Sequence, residues 1–398
     1  MENIKLTNAS NTGDSYSAIS TTTTDLELNN VVIENCYGDV GSAIKCRDGI
    51  YKFNNVVLSD NLGGKAIRIS CLTYSTNPIL QINMENVLIS NNYPGQGIGA
   101  GSGGGANIRG HHEIAGDYYL KMINCDFNSN HNNFYDGSTG LGGSSGLFLS
   151  NDLTADIVNC TFADNTLSYN TGCVITAMGA DINIYNSILF DNDGYSFIIW
   201  NEEEVNISHS LIENGDSNVF YYSTGAINWM EGNLDEDPLW LNSGEYPYYL
   251  QSTSPCIDAG TLELPPGIEL PEYDIAGNPR IYGETIDMGA YEWQGVEAEE
   301  DEIIPITQTK ISNYPNPFNP STTIKLDLAE SGKIELVIYN IKGQKVKTLM
   351  DAYSTKGHFE IIWRGVDDNK RSVASGNYYI KLKVNGKERT VSKCVLLK

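Results

Sequence analysis

The segment MENVLISN at residues 84–91 is a near copy of MENIKLTN at residues 1–8. The two share Met, Glu, Asn and a closing Asn. They swap like for like at Ile4/Val87, Leu6/Ile89 and Thr7/Ser90. Working outward, the Asn of each copy is one of a series of anchors: LELNN (Asn30), YKFNN (Asn55), INMEN (Asn86), LKMIN (Asn124), ADIVN (Asn159), NIYN (Asn186), and VNISH with His209 in the anchor place. Successive anchors from Asn30 onward lie 23 to 38 residues apart. A period of that size is the mark of stacked repeats.

Four and two residues before the anchor the chain is apolar: Leu26/Leu28, Tyr51/Phe53, Ile82/Met84, Leu120/Met122, Ile182/Ile184, Val205/Ile207. One and three residues after it, a small and then a large residue recur, as in Val31/Ile33, Val56/Leu58, Val87/Ile89, Cys125/Phe127, Cys160/Phe162 and Ser187/Leu189. Each side alternates with period 2, as strands do. The phase slips at the anchor, which requires a corner, and Asn tolerates the left-handed backbone that a tight corner needs. A second Asn recurs six residues on: Asn61, Asn92, Asn130, Asn165, Asn192. A third strand follows a loop of variable length: SAIS (17–20), SAIKC (42–46), KAIRI (65–69), ANIRG (106–110), GLFLS (146–150), CVITA (173–177), SFIIW (196–200) and GAINW (225–229).

Three short strands per repeat, one fixed corner and one variable loop predict a parallel β-helix. A propeller would have antiparallel blades of steadier length. Asn3 is itself an anchor, so Met1 stands inside a coil. The expectation is that further coils, and a signal peptide, precede it in the intact protein.

Composition agrees with an all-β chain: Gly (39) and Tyr (24) are abundant and only 19% of residues are charged. Charge is divided unevenly. Residues 310–398 carry 16 Lys and Arg against 8 Asp and Glu, whereas residues 1–309 carry 9 against 42. This predicts two domains with different surfaces. The acidic body argues against nucleic acid as a partner. No run of 18 apolar residues is present, so no membrane span is expected. The eight Cys (36, 46, 71, 125, 160, 173, 256, 394) lack zinc-site spacing and are read as buried free thiols. Residues 295–309, acidic and without periodicity, read as a linker. Beyond it TTIKLDL, KIELVIYNI, QKVKTL, HFEIIW, GNYYIKLKV and ERTVSKCVLL alternate like strands, with Gly343 and Asn385-Gly386 as hairpin turns, and predict a small immunoglobulin-like β-sandwich.

The Asn-anchored coils resemble the right-handed parallel β-helix superfamily that includes pectate lyases. The segments LDEDPLWLNSGEYPYYLQSTSPCIDAG (234–260) and YDIAGNPRIYGETIDMGAYEW (273–293) resemble the closing region of secreted bacterial β-helix proteins. The resemblance implies coils over 1–233 and a cap on the open core end over 234–294. Residues 310–398, with NYPNPFNPSTTIKLDL (313–328), VIYNIKGQKVKTL (337–349), WRGVDDNKRSVASGNYYIKL (363–382) and KCVLLK (393–398), closely resemble the type A C-terminal sorting domain of the type IX secretion system. That implies export across the outer membrane of a Bacteroidetes-like bacterium, with the secretion machinery as a partner of residues 310–398, and then a secreted or surface-attached product.

For a site, the third strand is read with Ile44/Cys46, Ile67/Ile69, Ile108, Phe148, Ile175/Ala177 and Ile198/Trp200 inward. The outward residue then stacks as Lys45, Arg68 and Arg109, followed by Leu149, Thr176, Ile199 and Asn228. Coils lie about 4.8 Å apart, so the cations would form a column roughly 10 Å long. With Arg47, His111 and His112 just past the same strands, the column is a candidate groove for an acidic polysaccharide, guanidinium forks meeting carboxylates. The plainer alternative is a structural ladder neutralised by Asp48, Glu113 and Asp117, with His111-His112 an exposed turn. Three function classes stay open: a binding or adhesion module for extracellular polysaccharide, a polysaccharide lyase or glycoside hydrolase, and a surface stalk. Calcium would serve the lyase reading, but no carboxylate cluster marks a calcium or other metal site, and the cofactor is left unknown. Asp152, Asp181, Glu202 to Glu204 and Glu231 read as solvated corners. The Gly-rich run 93–108 lacks the GK[ST] ending of a phosphate loop and reads as a flexible corner.

Overall fold

The computed structural model describes residues 1–398 except 9, 12–16, 39–42, 72–77, 94–103, 112, 113, 115, 137–140, 170, 201, 202, 245, 296–308, 315, 317, 319–321, 330, 331, 355, 356, 364, 369, 370, 372, 397 and 398. Glu113, Glu202 and most of the linker therefore lie outside the described residues. The chain divides into two units, residues 1–297 and 298–398.

In the first unit the strands of the coils pair in parallel with their counterparts one coil later, and a short antiparallel pair, Tyr135–Asp136 with Leu141–Gly142, stands apart from them. Three strand columns result. The first, before the anchors, runs from residues 26–29 through Asp117–Ile123 and Glu204–Ser208 to Ala226–Trp229. The second, after the anchors, runs from residues 4–7 through Asp126–Asn128 and Thr161–Ala163 to Leu211–Ile212. The third contains Ile19–Thr22, Ile44–Arg47, Ile67–Ser70, Ala106–Arg109, residues 144–150 and 173–178, Tyr195–Trp200 and Val219–Tyr221. All three turn their alternate apolar residues into one continuous core, in which Phe127 and Phe162 stack at 5.0 Å. Each fully buried side chain of this kind contributes about 1.5–3 kcal/mol of transfer free energy.

The corners work as the pattern requires. Asn3, Asn30, Asn55, Asn86, Asn124, Asn159, Asn186 and His209 all have positive φ, between 46° and 54°. Their side chains form an outer ladder in which each amide donates to the coil before: Asn30 to Asn3 (3.2 Å), Asn55 to Asn30 (3.1 Å), Asn86 to Asn55 (3.1 Å) and Asn124 to Asn86 (3.2 Å). The second Asn series forms an inner ladder running the other way, Asn61 to Asn92 (3.0 Å), Asn92 to Asn130 (3.0 Å), Asn130 to Asn165 (3.2 Å) and Asn165 to Asn192 (2.9 Å). Each of these Oδ1 atoms also accepts a backbone N–H of the preceding coil, so buried amides satisfy buried backbone. All eight Cys are free, and seven are buried. The Gly-rich run ends in tight packing, because a Cβ on Gly105 would lie 1.9 Å from Gly146 O.

Residues 234–293 do not lie across the open end of the coils, as a cap would. They run along the flank of the stack. Asn159 Nδ2 donates to Asp287 O (2.8 Å), Asn186 Nδ2 to Thr261 O (2.8 Å) and Asn124 Nδ2 to Tyr273 O (2.9 Å). Trp240, Tyr248 and Tyr291 pack with Ala163, Ile188 and Leu211 of the second sheet in a separate apolar cluster. The physical reason is the outer face of that sheet, which is apolar at these coils and must be covered. The flank is organised by a buried Arg280, whose Nη2 lies 3.3 Å from Glu292 Oε2 and donates to Asp287 O (3.0 Å) and Gly289 O (3.2 Å). Asp274 and Asp287 accept backbone N–H groups of the same segment. The acids and the arginine of the DIAGNPR and IDMGAYE motifs are thus structural keys.

The second unit holds a three-stranded antiparallel sheet, Lys310–Tyr314, Thr322–Leu328 and Gly357–Trp363, and a four-stranded one, Lys345–Ser354, Gly332–Asn340, Gly376–Val384 and Lys387–Leu396. Phe318, Trp363 and Tyr378 lie in their shared core. Asn385 (φ 50°) and Gly386 (φ 77°) form the two-residue hairpin turn, the left-handed pair that such a turn demands. The strand at 310–314 was not anticipated, because the Pro-rich run that follows masks its alternation.

Candidate functional site

The third sheet carries the cations, with a different register from the expected one. Lys45 does pair with Arg68. Arg68, however, pairs with Asn107, and Arg109 pairs with Ser70. Two neighbouring columns therefore exist: Ser20, Lys45, Arg68, Asn107, Phe148, Thr176, Ile198, Phe220, and Thr22, Arg47, Ser70, Arg109, Ser150, Met178, Trp200. A three-residue stack of Lys45, Arg68 and Arg109 is not formed. A staggered patch is formed instead: Lys45 lies directly beside Arg68, while Arg47 and Arg109 stand diagonal to Arg68.

The inward assignments also change. Leu147 and Leu149 face the core where Phe148 was expected, and Phe197 and Ile199 do so where Ile198 and Trp200 were expected. Ile198 is buried nevertheless, under a small outer cluster with Leu141 and Cys173. Ala226–Trp229 belongs to the first sheet, so Asn228 extends a ladder with Asn206 and Asn183 (2.7 and 2.9 Å) and takes no part in the cationic face.

Two further cations join the patch. Arg47 sits one pair beyond Lys45 in the same strand, and Lys65, which sequence reading passed over, is only 4% exposed. The only advance signal for Lys65 was its rarity as a basic residue in this region. Lys45, Arg47, Lys65, Arg68 and Arg109 are five of the nine Lys and Arg before residue 310. They lie close enough to disfavour one another's charge. Burial, then Arg47 and Arg68, lower the Lys45 pKa, and burial, then Arg47, lower that of Arg68. Burial, then Arg68, lower Arg109. Burial, then Arg68 and Arg109, push Lys65 down to about 6.

Arg109 Nε donates to Asn107 Oδ1 (2.9 Å), and its guanidinium lies 4.8 Å over the ring of Phe148. The ring holds the guanidinium by a cation–π contact and anchors it to the sheet. His111 is buried, its Nδ1 accepting Ile114 N–H (3.1 Å), so it is a structural part of the turn. His112 lies outside the described residues.

Along the same face, beyond the cations, Trp200 stacks on Tyr222 at 3.9 Å and Tyr195 packs on Phe220. At about 4.8 Å per coil the strip from Lys45 to Trp200 is roughly 24 Å long. One end is cationic and the other aromatic.

Asp152, Asp181 and Glu203 line a cleft of about 310 Å³ where the third sheet turns into the first. Among the described residues no group of three His, Cys, Asp or Glu is placed to hold a metal ion, and no helix is long and apolar enough to cross a membrane.

The FlgD Ig-like domain family matches residues 316–388, within the predicted β-sandwich. No curated protein matches the chain. Among solved structures, dimeric latent PorU of Porphyromonas gingivalis is similar at 17% identity over 22% of this chain and 9% of that one, with a TM-score of 0.21. PorZ of the same organism, described as an essential surface component of the type-IX secretion system, is similar at 18% identity over 29% of this chain and 14% of that one, TM-score 0.17. HetL, a pentapeptide repeat protein of Nostoc, is similar at 9% identity over 58% of this chain and 91% of that one, TM-score 0.16. The chain is an all-β protein of stacked parallel coils followed by an immunoglobulin-like domain.

Proposed function

We propose that the third-sheet face binds an acidic extracellular polysaccharide, and that residues 310–398 direct the chain to the cell surface or beyond through type IX secretion. One observation carries the binding reading: five of nine cations gather on one face of a region with 42 carboxylates, against their mutual repulsion. A polyanion relieves that repulsion. Guanidinium groups suit carboxylates by their paired donors, and the aromatic end offers flat surfaces to sugar rings. The resemblance of residues 313–398 to type A sorting domains supports the export reading.

The test is binding of polygalacturonate to the full chain across a salt series. Binding should weaken as salt rises, and Arg47→Ala, Arg68→Ala and Arg109→Ala together should weaken it at least tenfold. Binding unaffected by the triple substitution refutes the reading. A second reading, elimination across a uronate, is favoured by Lys65 alone, a buried amine held down to about 6 beside two guanidinium groups. Unsaturated-uronate absorbance that appears with the wild-type chain and disappears with Lys65→Met would select it.

A further inference from the structure

The outward column of the second sheet reads Lys5, Val32, Val57, Leu88, Asp126, Thr161, Ile188, Leu211. From Val32 to Leu211 it is apolar except at Asp126 and Thr161. Thr161 is explained, since its Oγ1 accepts Ala290 N–H of the flank (3.0 Å). Asp126 is only half explained. It is 0% exposed, and Oδ2 accepts the Tyr291 hydroxyl (2.6 Å); among the described residues Oδ1 meets no well-formed hydrogen bond, with the Asn128 side chain close enough to favour the charged carboxylate. A buried carboxylate oxygen without a well-formed hydrogen bond is costly.

The flank covers the column at Thr161, Ile188 and Leu211 and stops at Asp126. There it leaves a cleft of about 380 Å³, with Val57, Leu88 and Asp126 on the floor and Tyr246 and Tyr291 on the wall. That volume falls in the range of small-molecule sites. Tyr246, Tyr249 and Tyr291 pack against one another at 5.2 to 5.9 Å, which fixes the wall. The floor crosses three coils, roughly 10 Å, the span of one sugar ring and its substituents. Apolar floor and aromatic wall suit the C–H faces of a pyranose, while Asp126 Oδ1 and the Asn128 amide beside it suit its hydroxyls. Among the described residues no Lys, Arg or His lines the cleft, so the charged group an anionic ligand would meet there is a carboxylate.

We propose that this cleft binds a single pyranose ring of an uncharged saccharide, with Asp126 accepting hydrogen bonds from ring hydroxyls. It is separate from the cationic face in position and in ligand charge, and does not rest on that reading. Burial pushes the Asp126 carboxyl up to about 6, so occupancy should fall as pH drops below 6 and the acceptor is protonated.

The test uses the full chain at pH 7.5 with the methyl glycosides of glucose, galactose, mannose and xylose, read by saturation-transfer NMR with titration of any responder. At least one glycoside should show transfer. Leu88→Trp, on the partly exposed floor, should abolish it, and Asp126→Asn should weaken binding at least tenfold. Arg68→Ala should leave it unchanged. Transfer to none of the four, transfer that survives Leu88→Trp, or displacement of the responder by equimolar tetramethylammonium would overturn the proposal. If Asp126→Asn does not fold, Leu88→Trp still decides.

Discussion

The two units of the chain solve the same problem, burying alternating strands, by opposite means. In residues 1–297 each strand meets its own counterpart one coil away, and the corners are held by ladders of side-chain amides. In residues 298–398 strands distant in sequence meet antiparallel around Trp363, and tight turns set the register. The first design is quasi-one-dimensional: damage acts on neighbouring coils. The second is a single core, in which damage acts on the whole domain. The surfaces differ too, one strongly acidic and one basic.

The largest effects should expose this contrast. Trp363→Ala removes a fully buried side chain and should cost about 3–5 kcal/mol. In calorimetry of the full chain it should lower one transition and leave the other in place. Phe127→Ala should cost a similar amount and do the reverse. A common shift of both transitions by either substitution would break the comparison. Next, the two ladders should differ from each other. Asn130→Ala deprives the Asn92 N–H and side-chain amide of their acceptor inside the stack and should cost roughly 2–4 kcal/mol. Asn30→Gly, which keeps the left-handed corner and removes only the exposed outer-ladder amide, should cost under about 1 kcal/mol, since water replaces the lost partners. Equal losses, measured by urea unfolding, would show that the inner ladder has no special role.

A further prediction concerns pH. Burial raises Asp126 to about 6, Asp287 to about 6 and Glu292 to about 8. A carboxyl raised in the folded state binds its proton more tightly there than in the unfolded chain. Stability from these groups is therefore greatest below the unfolded carboxylate pKa and is lost as pH rises through the folded values. The transition of residues 1–297 should rise as pH falls from 8 to 5, and Asp126→Asn should flatten that rise by on the order of 1–3 kcal/mol. A transition that falls over this range, or a slope unchanged in Asp126→Asn, contradicts the assignment.

Much of the coil architecture was legible in the residues. A period-2 pattern that slips at Asn leaves few geometries open, and every anchor has the left-handed backbone foreseen for it. The site was less legible. Arg109 is displaced by two residues from its expected place beside Arg68. A shift of two preserves which side chains point in, so alternation cannot detect it. At Phe148 and Ile198 alternation fails for another reason: the outward face there is buried as well, so both faces are apolar. The flank was read as a cap because its motifs carry no record of what they touch. Asp126 gave no signal, since its partner Tyr291 lies 165 residues away.

The sequence by itself determined most of the strands, the corners, the inner and outer amide series and the split between an acidic repeat body and a basic sandwich. These are local properties, fixed by backbone sterics and by the two faces of a strand. Only the tertiary structure decided the register between coils whose loops differ in length, the course of residues 234–293 along the stack, and the meeting of Lys65 with Arg68 and Arg109. Such placements depend on which packing of loops and flank buries the most apolar surface, a property of the assembled chain that no local pattern encodes.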